Sequence, residues 1–151
     1  MSRFATLDLP GFPYRASLMA AAALAALAVD FASKEVVVAL EPQTLLFHVS
    51  ERDAFGLGTG AILLAGFGSL LMCVLPLRPI AIAAGVALGG ALGNLTSRHW
   101  WEHRGGSPDF IPFADGSTGN VADLFIAFGA FTMLLATVAW LVSTLVVARR
   151  R

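Results

Sequence analysis

The chain has 151 residues and no formal net charge at neutral pH; 57% of its residues are hydrophobic and 13% charged. A mean hydropathy of +0.76 lies well above what a water-soluble domain carries, so a bilayer is the expected solvent. Nucleic-acid binding is set aside, because there is neither a global basic field nor a stripe of Lys and Arg interleaved with aromatics. The single cysteine, Cys73, excludes an internal disulfide and a thiolate metal cluster.

A spanning helix needs about 20 mostly apolar residues, since every backbone polar group must be satisfied within the segment. Four stretches meet that requirement. The first runs from near Ala16 to about Leu40. Arg15 and the Ala- and Leu-rich sequence up to Val29 can also be read as a cleavable secretory signal. Ala28-Val29-Asp30 is a poor small-x-small cleavage site, however, and the apolar pattern resumes at Val36, which favours an uncleaved span. On this helix Asp30 and Lys34 are four residues apart, so they face the same way and can pair, a structural solution for two charges near a membrane interface.

After the first span, Thr44-Leu45-Leu46-Phe47-His48-Val49 favours extended structure and predicts a short hairpin or platform. The second span covers about Gly58 to Leu75. Its link to the third, Pro76-Leu77-Arg78-Pro79, is a tight turn that makes the two helices antiparallel neighbours. The third span runs from Ile80 to about Leu95 and carries Gly85, Gly89 and Gly93 on one face, a seam that permits close helix approach, within the chain by default. The fourth covers about Val121 to Val147.

Arg3, Arg15, Arg78 and Arg149-Arg150-Arg151 all fall on one side of a four-span arrangement, which the positive-inside rule makes cytoplasmic, with both termini. The connections of about Glu41 to Leu57 and Thr96 to Gly119 then face outward and hold most of the acids. Two acids toward this side are candidates for chemistry, one in the second connection and one just beyond it. Asp123 lies in the first turn of the fourth helix, just after Asn120-Val121-Ala122, with no evident cationic partner there. Asp109 lies upstream in Ser107-Pro108-Asp109-Phe110-Ile111, and a return of that loop would bring it against Asp123. Two such carboxyls sharing a proton can activate a water for attack on a peptide carbonyl. For each, a helix cap or a surface aspartate is the plainer reading.

Several runs together resemble the ordered motifs of the lipoprotein signal peptidases, the signal peptidase II family. They are Val29-Asp30-Phe31-Ala32-Ser33-Lys34, Gly89-Gly90-Ala91-Leu92-Gly93-Asn94-Leu95 with Arg98, Asp109-Phe110-Ile111 and Asn120-Val121-Ala122-Asp123. The resemblance extends from the first helix to the last. It implies an all-α integral membrane protein: one membrane-embedded peptidase domain over 1–151, four transmembrane helices, and a small β platform and short amphipathic segment on the outer face. It implies an aspartic endopeptidase of the bacterial inner membrane, working at the outer face without metal or other cofactor. The substrates it implies are diacylglyceryl-modified prolipoproteins in membrane lipid, cut before the lipidated cysteine. By position, Asp109 and Asp123 match the catalytic pair; Asn94, Arg98 and Asn120 match substrate-orienting polar residues; Asp30 and Lys34 match a structural pair.

Three departures bear on substrate preference and rate. The family's Asn-x-x-Asp-Arg is here Asn94-Leu95-Thr96-Ser97-Arg98, so Ser97 stands where a carboxylate is usual. Its Asn-x-Gly-Ala-Ala-Phe is here Ser50-Glu51-Arg52-Asp53-Ala54-Phe55, and the connection from Asp109 to Asp123 is short. Competing readings remain. His99-Trp100-Trp101-Glu102-His103 spells a zinc-protease pattern, with His99 and His103 as ligands and Glu102 as base. It lacks a third ligand and is followed by Gly105-Gly106; as a surface amphipathic turn its tryptophans would be interfacial anchors. A Ser-Lys hydrolase on Lys34 would need a serine facing it, and Ser33, adjacent on the helix, points elsewhere. A catalytically altered relative of that family is an alternative, whereas a silent relative or a packing subunit would have little reason to keep both acids.

Overall fold

The computed structural model describes residues 10–40, 46–48, 66–100 and 107–150. Helix α1 (Phe12–Leu40) is followed by strand β1 (Leu46–His48), a second helix α2 described over 66–72, and α3 (Arg78–Trp100). Three short strands come next, β2 (Ser107–Asp109), β3 (Ile111–Pro112) and β4 (Thr118–Gly119), and α4 (Val121–Arg149) closes the chain. Three helices, Phe12–Leu40, Arg78–Arg98 and Val121–Arg149, are long and apolar enough to cross a membrane. The second expected span, from about Gly58 to Leu75, falls largely outside the described residues; its described part ends at Met72, three residues early. There Cys73, Val74 and Leu75 donate to the carbonyls three residues back, a tightening common at helix ends.

The third span is the centre of the packing, because its small residues let two helices approach on different faces. A Cβ on Gly85 would strike the Met19 carbonyl and lie 2.8 Å from Ala22, and one on Gly89 would lie 2.7 Å from Ala26. Elsewhere on α3, Gly90 sits under the Ala122 carbonyl, while Gly129 of α4 abuts Ala83 and Ala87. The order of these contacts makes α1 parallel to α3 and α4 antiparallel to it. The glycine seam therefore works within the chain.

At one end of the bundle buried Arg15 donates from Nε to the Cys73 carbonyl at 2.7 Å and from a terminal nitrogen to the Pro10 carbonyl at 3.1 Å. A cation at the last carbonyls of α2 satisfies groups that the helix leaves unpaired. Cys73, fully buried, packs there with Met19, Ala81 and Ala84. Arg78 lies 5.2 Å over the Tyr14 ring, and the C-terminal end of α4 brings Arg149 to this same end of the antiparallel pair.

At the opposite end β1 pairs antiparallel with β2, His48 opposite Ser107 and Leu46 opposite Asp109. The partner of β1 is thus the other long connection rather than a neighbouring strand. A hairpin follows, with Ile111 opposite Gly119 and Pro112 opposite Thr118. Gly116, at φ 84, supplies the left-handed residue its turn requires. Ser117 donates both its N–H and its hydroxyl to Asp115, which holds that exposed carboxyl below the usual range. This hairpin carries the chain from Asp109 back to Asn120 in few residues.

Candidate active site

The fourth helix begins with a reciprocal cap. The Asn120 side chain accepts from the backbone N–H of Asp123 at 3.3 Å, and the Asp123 carboxylate accepts from the backbone N–H of Asn120 at 3.0 Å. Asp123 is therefore the cap acid that its place in the first turn suggests. Its other oxygen has a different partner: Asn94 of α3 donates Nδ2 to Asp123 Oδ1 at 2.7 Å. Asn120 also reaches the second acid, its Nδ2 donating to Asp109 Oδ1 at 2.7 Å. One buried asparagine thus holds both Asp109 and Asp123. Each of the two acids is itself only partly buried.

Asp30 and Lys34 form a buried ion pair of 2.7 Å, as their spacing on one helix face predicts. Their reach extends beyond α1. Lys34 donates its remaining two hydrogens to Asn94 Oδ1 at 3.2 Å and Ser97 Oγ at 3.1 Å, which completes the three bonds that an ammonium offers. Asp30 Oδ1 accepts from the Ala122 backbone N–H at 2.9 Å. That bond satisfies one of the orphan donors of the α4 N-terminus with an anion, the favoured charge there. Gly93 makes room for this arrangement, because a Cβ at that position would run into the Asp30 carboxylate.

Ser97 is 3% exposed and passes its own hydrogen to the Gly93 carbonyl at 2.8 Å. It occupies the place of the expected carboxylate as a neutral acceptor for Lys34. Arg98, one turn beyond Asn94, is half-buried, and its Nε is buried without a hydrogen-bond partner among the described residues. Ser107, which the sequence did not single out, is 4% exposed and lies between the two asparagines. Its signal is faint: one hydroxyl in a connection between helices is unremarkable until the fold is known.

The segment His99-Trp100-Trp101-Glu102-His103 and the platform residues Ser50 to Phe55 have side chains outside the described residues. Among the described residues no three His, Cys, Asp or Glu side chains group as metal ligands.

Long apolar helices packed on glycine seams, with asparagines and carboxylates gathered at one end, define a helical membrane protein with a polar cluster at the bundle's mouth. The family profile described as signal peptidase (SPase) II matches residues 22–139. That stretch takes in α1 from Ala22 onward, all of α3, the strands and most of α4, and the chain belongs to the signal peptidase II family, whose members are proteases of lipoprotein processing. No curated protein and no solved structure matches the chain.

Proposed function

We propose that the chain is an aspartic endopeptidase that removes signal peptides from diacylglyceryl-modified prolipoproteins, with Asp109 and Asp123 as its catalytic pair. The observation that carries this reading is that Asn120 bonds both acids, from its side chain to Asp109 and from its backbone to Asp123. Two carboxyls held by one residue at a membrane mouth can share a proton, and a shared proton gives one acid and one base.

The ionised member takes a proton from a water, whose oxygen adds to the scissile carbonyl carbon. Its protonated partner donates to the carbonyl oxygen, so negative charge does not build up there. Collapse of the resulting diol breaks the C–N bond: one hydroxyl returns its proton to the carboxylate that had protonated the carbonyl, and the departing amine of the lipidated cysteine takes up the proton that the other acid drew from the water. Arg98, whose Nε has no partner among the described residues, and Asn94, whose Nδ2 has a second hydrogen beyond the one given to Asp123, orient substrate carbonyls, while Asn120 serves the substrate through the acids it holds. Asp30 and Lys34 hold the mouth together, and the chemistry uses no metal or cofactor.

The reading includes a single domain over 1–151 with four spans in a bacterial inner membrane. The end bearing Arg15, Arg78 and Arg149 is cytoplasmic, with both termini, and the acids are at the outer face. The test is incubation of the purified protein in detergent with a prolipoprotein, with and without its diacylglyceryl group, and with a strong chelator in a parallel arm. Release of the signal peptide from the lipidated form alone, unaffected by chelation, is expected. Loss on chelation with recovery on added zinc would move the chemistry to His99, Glu102 and His103.

A further inference from the structure

Asn94 and Asn120 each hold one or both of the acids, and an amide can be inserted in two orientations that exchange a donor for an acceptor. Something must fix which way each one points. Lys34 can only donate, so the Asn94 atom 3.2 Å from its Nζ is the oxygen, and Nδ2 faces Asp123. The hydroxyl of Ser107 adds a second donor to that same oxygen at 3.2 Å. Having spent its hydrogen there, Ser107 Oγ has only lone pairs left. It accepts from Asn120 Nδ2 at 3.0 Å. That bond turns the Asn120 amide nitrogen inward, where its other hydrogen meets Asp109, and leaves the Asn120 oxygen for the Asp123 N–H.

We infer that Ser107 is a positioning residue of the reaction: its hydroxyl links Asn94, whose orientation Lys34 sets, to Asn120, and so braces the Asn120 amide and the acid that amide holds. The inference rests on the assignment of Asp109 and Asp123 as the catalytic pair. The site is built for this role. Ser107, Asn94 and Asn120 are 4%, 8% and 1% exposed, so water does not compete for these bonds. The Ser107 backbone is pinned by pairing opposite His48. Without the hydroxyl, Asn94 keeps Lys34, but Asn120 loses one of the three contacts that hold its amide and is left with Asp109 and the Asp123 N–H alone, so the amide and the acid it bonds are held less closely.

The experiment compares Ser107→Ala, Ser107→Thr and Ser107→Val with the parent, using the full chain in detergent and a diacylglyceryl-modified prolipoprotein. Thr and Val have nearly the same shape and suit a strand, and they differ in the hydroxyl, so this pair carries the test even if the Ala variant unfolds. The expected result is that Val and Ala lower kcat by about ten- to a hundredfold with KM nearly constant, as small misplacements of reacting groups do, and that Thr restores most of it. The pH profile of kcat should shift with the Val variant and return with Thr. In an Asn120→Ala background, Ser107→Val should cost little more, since the amide it braces is gone. Equal kcat and pH profiles for Thr and Val, or additive losses in the Asn120→Ala background, would overturn the inference. Asp109→Asn is assayed beside them. If it cleaves normally, the catalytic pair itself is wrong; if it is inactive while Thr and Val are alike, only the role of Ser107 fails.

Discussion

The side chain of Asn120 donates to Oδ1 of Asp109 at 2.7 Å, a bond between the residue that caps α4 and an acid that lies in strand β2. Helix initiation and the placing of Asp109, a member of the proposed catalytic pair, are therefore handled by the same amide.

Asn120→Ala should separate these duties. Loss of the cap costs about 1 kcal/mol of stability, whereas release of both acids should lower cleavage about a hundredfold. Thermal unfolding and cleavage in the same detergent measure the two effects. Parallel small losses in both would mean that Asn120 only caps the helix.

Lys34→Met leaves Asp30 buried without its counter-ion and should cost about 3–5 kcal/mol. Adding Asp30→Asn removes the stranded charge, and the amide oxygen can still accept the Ala122 N–H seen at 2.9 Å. The double variant should thus unfold at a higher temperature than Lys34→Met alone. A double variant that is no more stable than the single one would contradict the pairing account.

Ser97→Asp puts a carboxylate where the hydroxyl oxygen lies 3.1 Å from Lys34 Nζ. Lys34 already pairs with Asp30, so the added acid shares that ammonium and its hydrogen bond rather than meeting a free charge; the protein should still fold and cleavage should stay within about tenfold of the parent, the scale of a modest change in local hydrogen bonding. The residue touches Lys34 rather than Asp109 or Asp123, so complete loss of cleavage in a folded protein would show different wiring.

The spacing of residues along single helices was the legible part of this fold. Asp30 and Lys34 at four-residue separation gave the ion pair, and Gly85, Gly89 and Gly93 gave the face against α1. Asn120 and Asp123 stood where a cap belongs. What crosses between elements was not legible: the bonds of Lys34 to Asn94 and Ser97 depend on the rotation of α1 about α3. Ser107 gained its meaning only when the hairpin folded its neighbour Asp109 back on Asn120. The partner of β1 was equally hidden, because a three-residue strand carries no record of what it pairs with.

Gly119→Ala tests how closely the mouth is fitted. A Cβ there would lie 2.6 Å from the Phe113 ring and 2.9 Å from Asp123 Oδ2, whereas one on Gly68 meets nothing within 4 Å. Gly119→Ala should reduce cleavage about tenfold or more by displacing Asp123, and Gly68→Ala should leave both cleavage and stability near the parent. Full activity of Gly119→Ala would mean that the Asp123 position tolerates movement.

The central claim is that Asp109 and Asp123 act as one unit, and the most direct measurement is single-turnover cleavage of a diacylglyceryl-modified prolipoprotein by Asp109→Asn, Asp123→Asn and the double variant. Both acids serve one transition state, so each single change should remove nearly all cleavage and the double change should cost little more. Thermal unfolding in the same detergent should not fall in step, since an amide is close in shape to a carboxyl and relieves repulsion between neighbouring acids. Near-normal cleavage by either single variant in a folded protein would contradict the account.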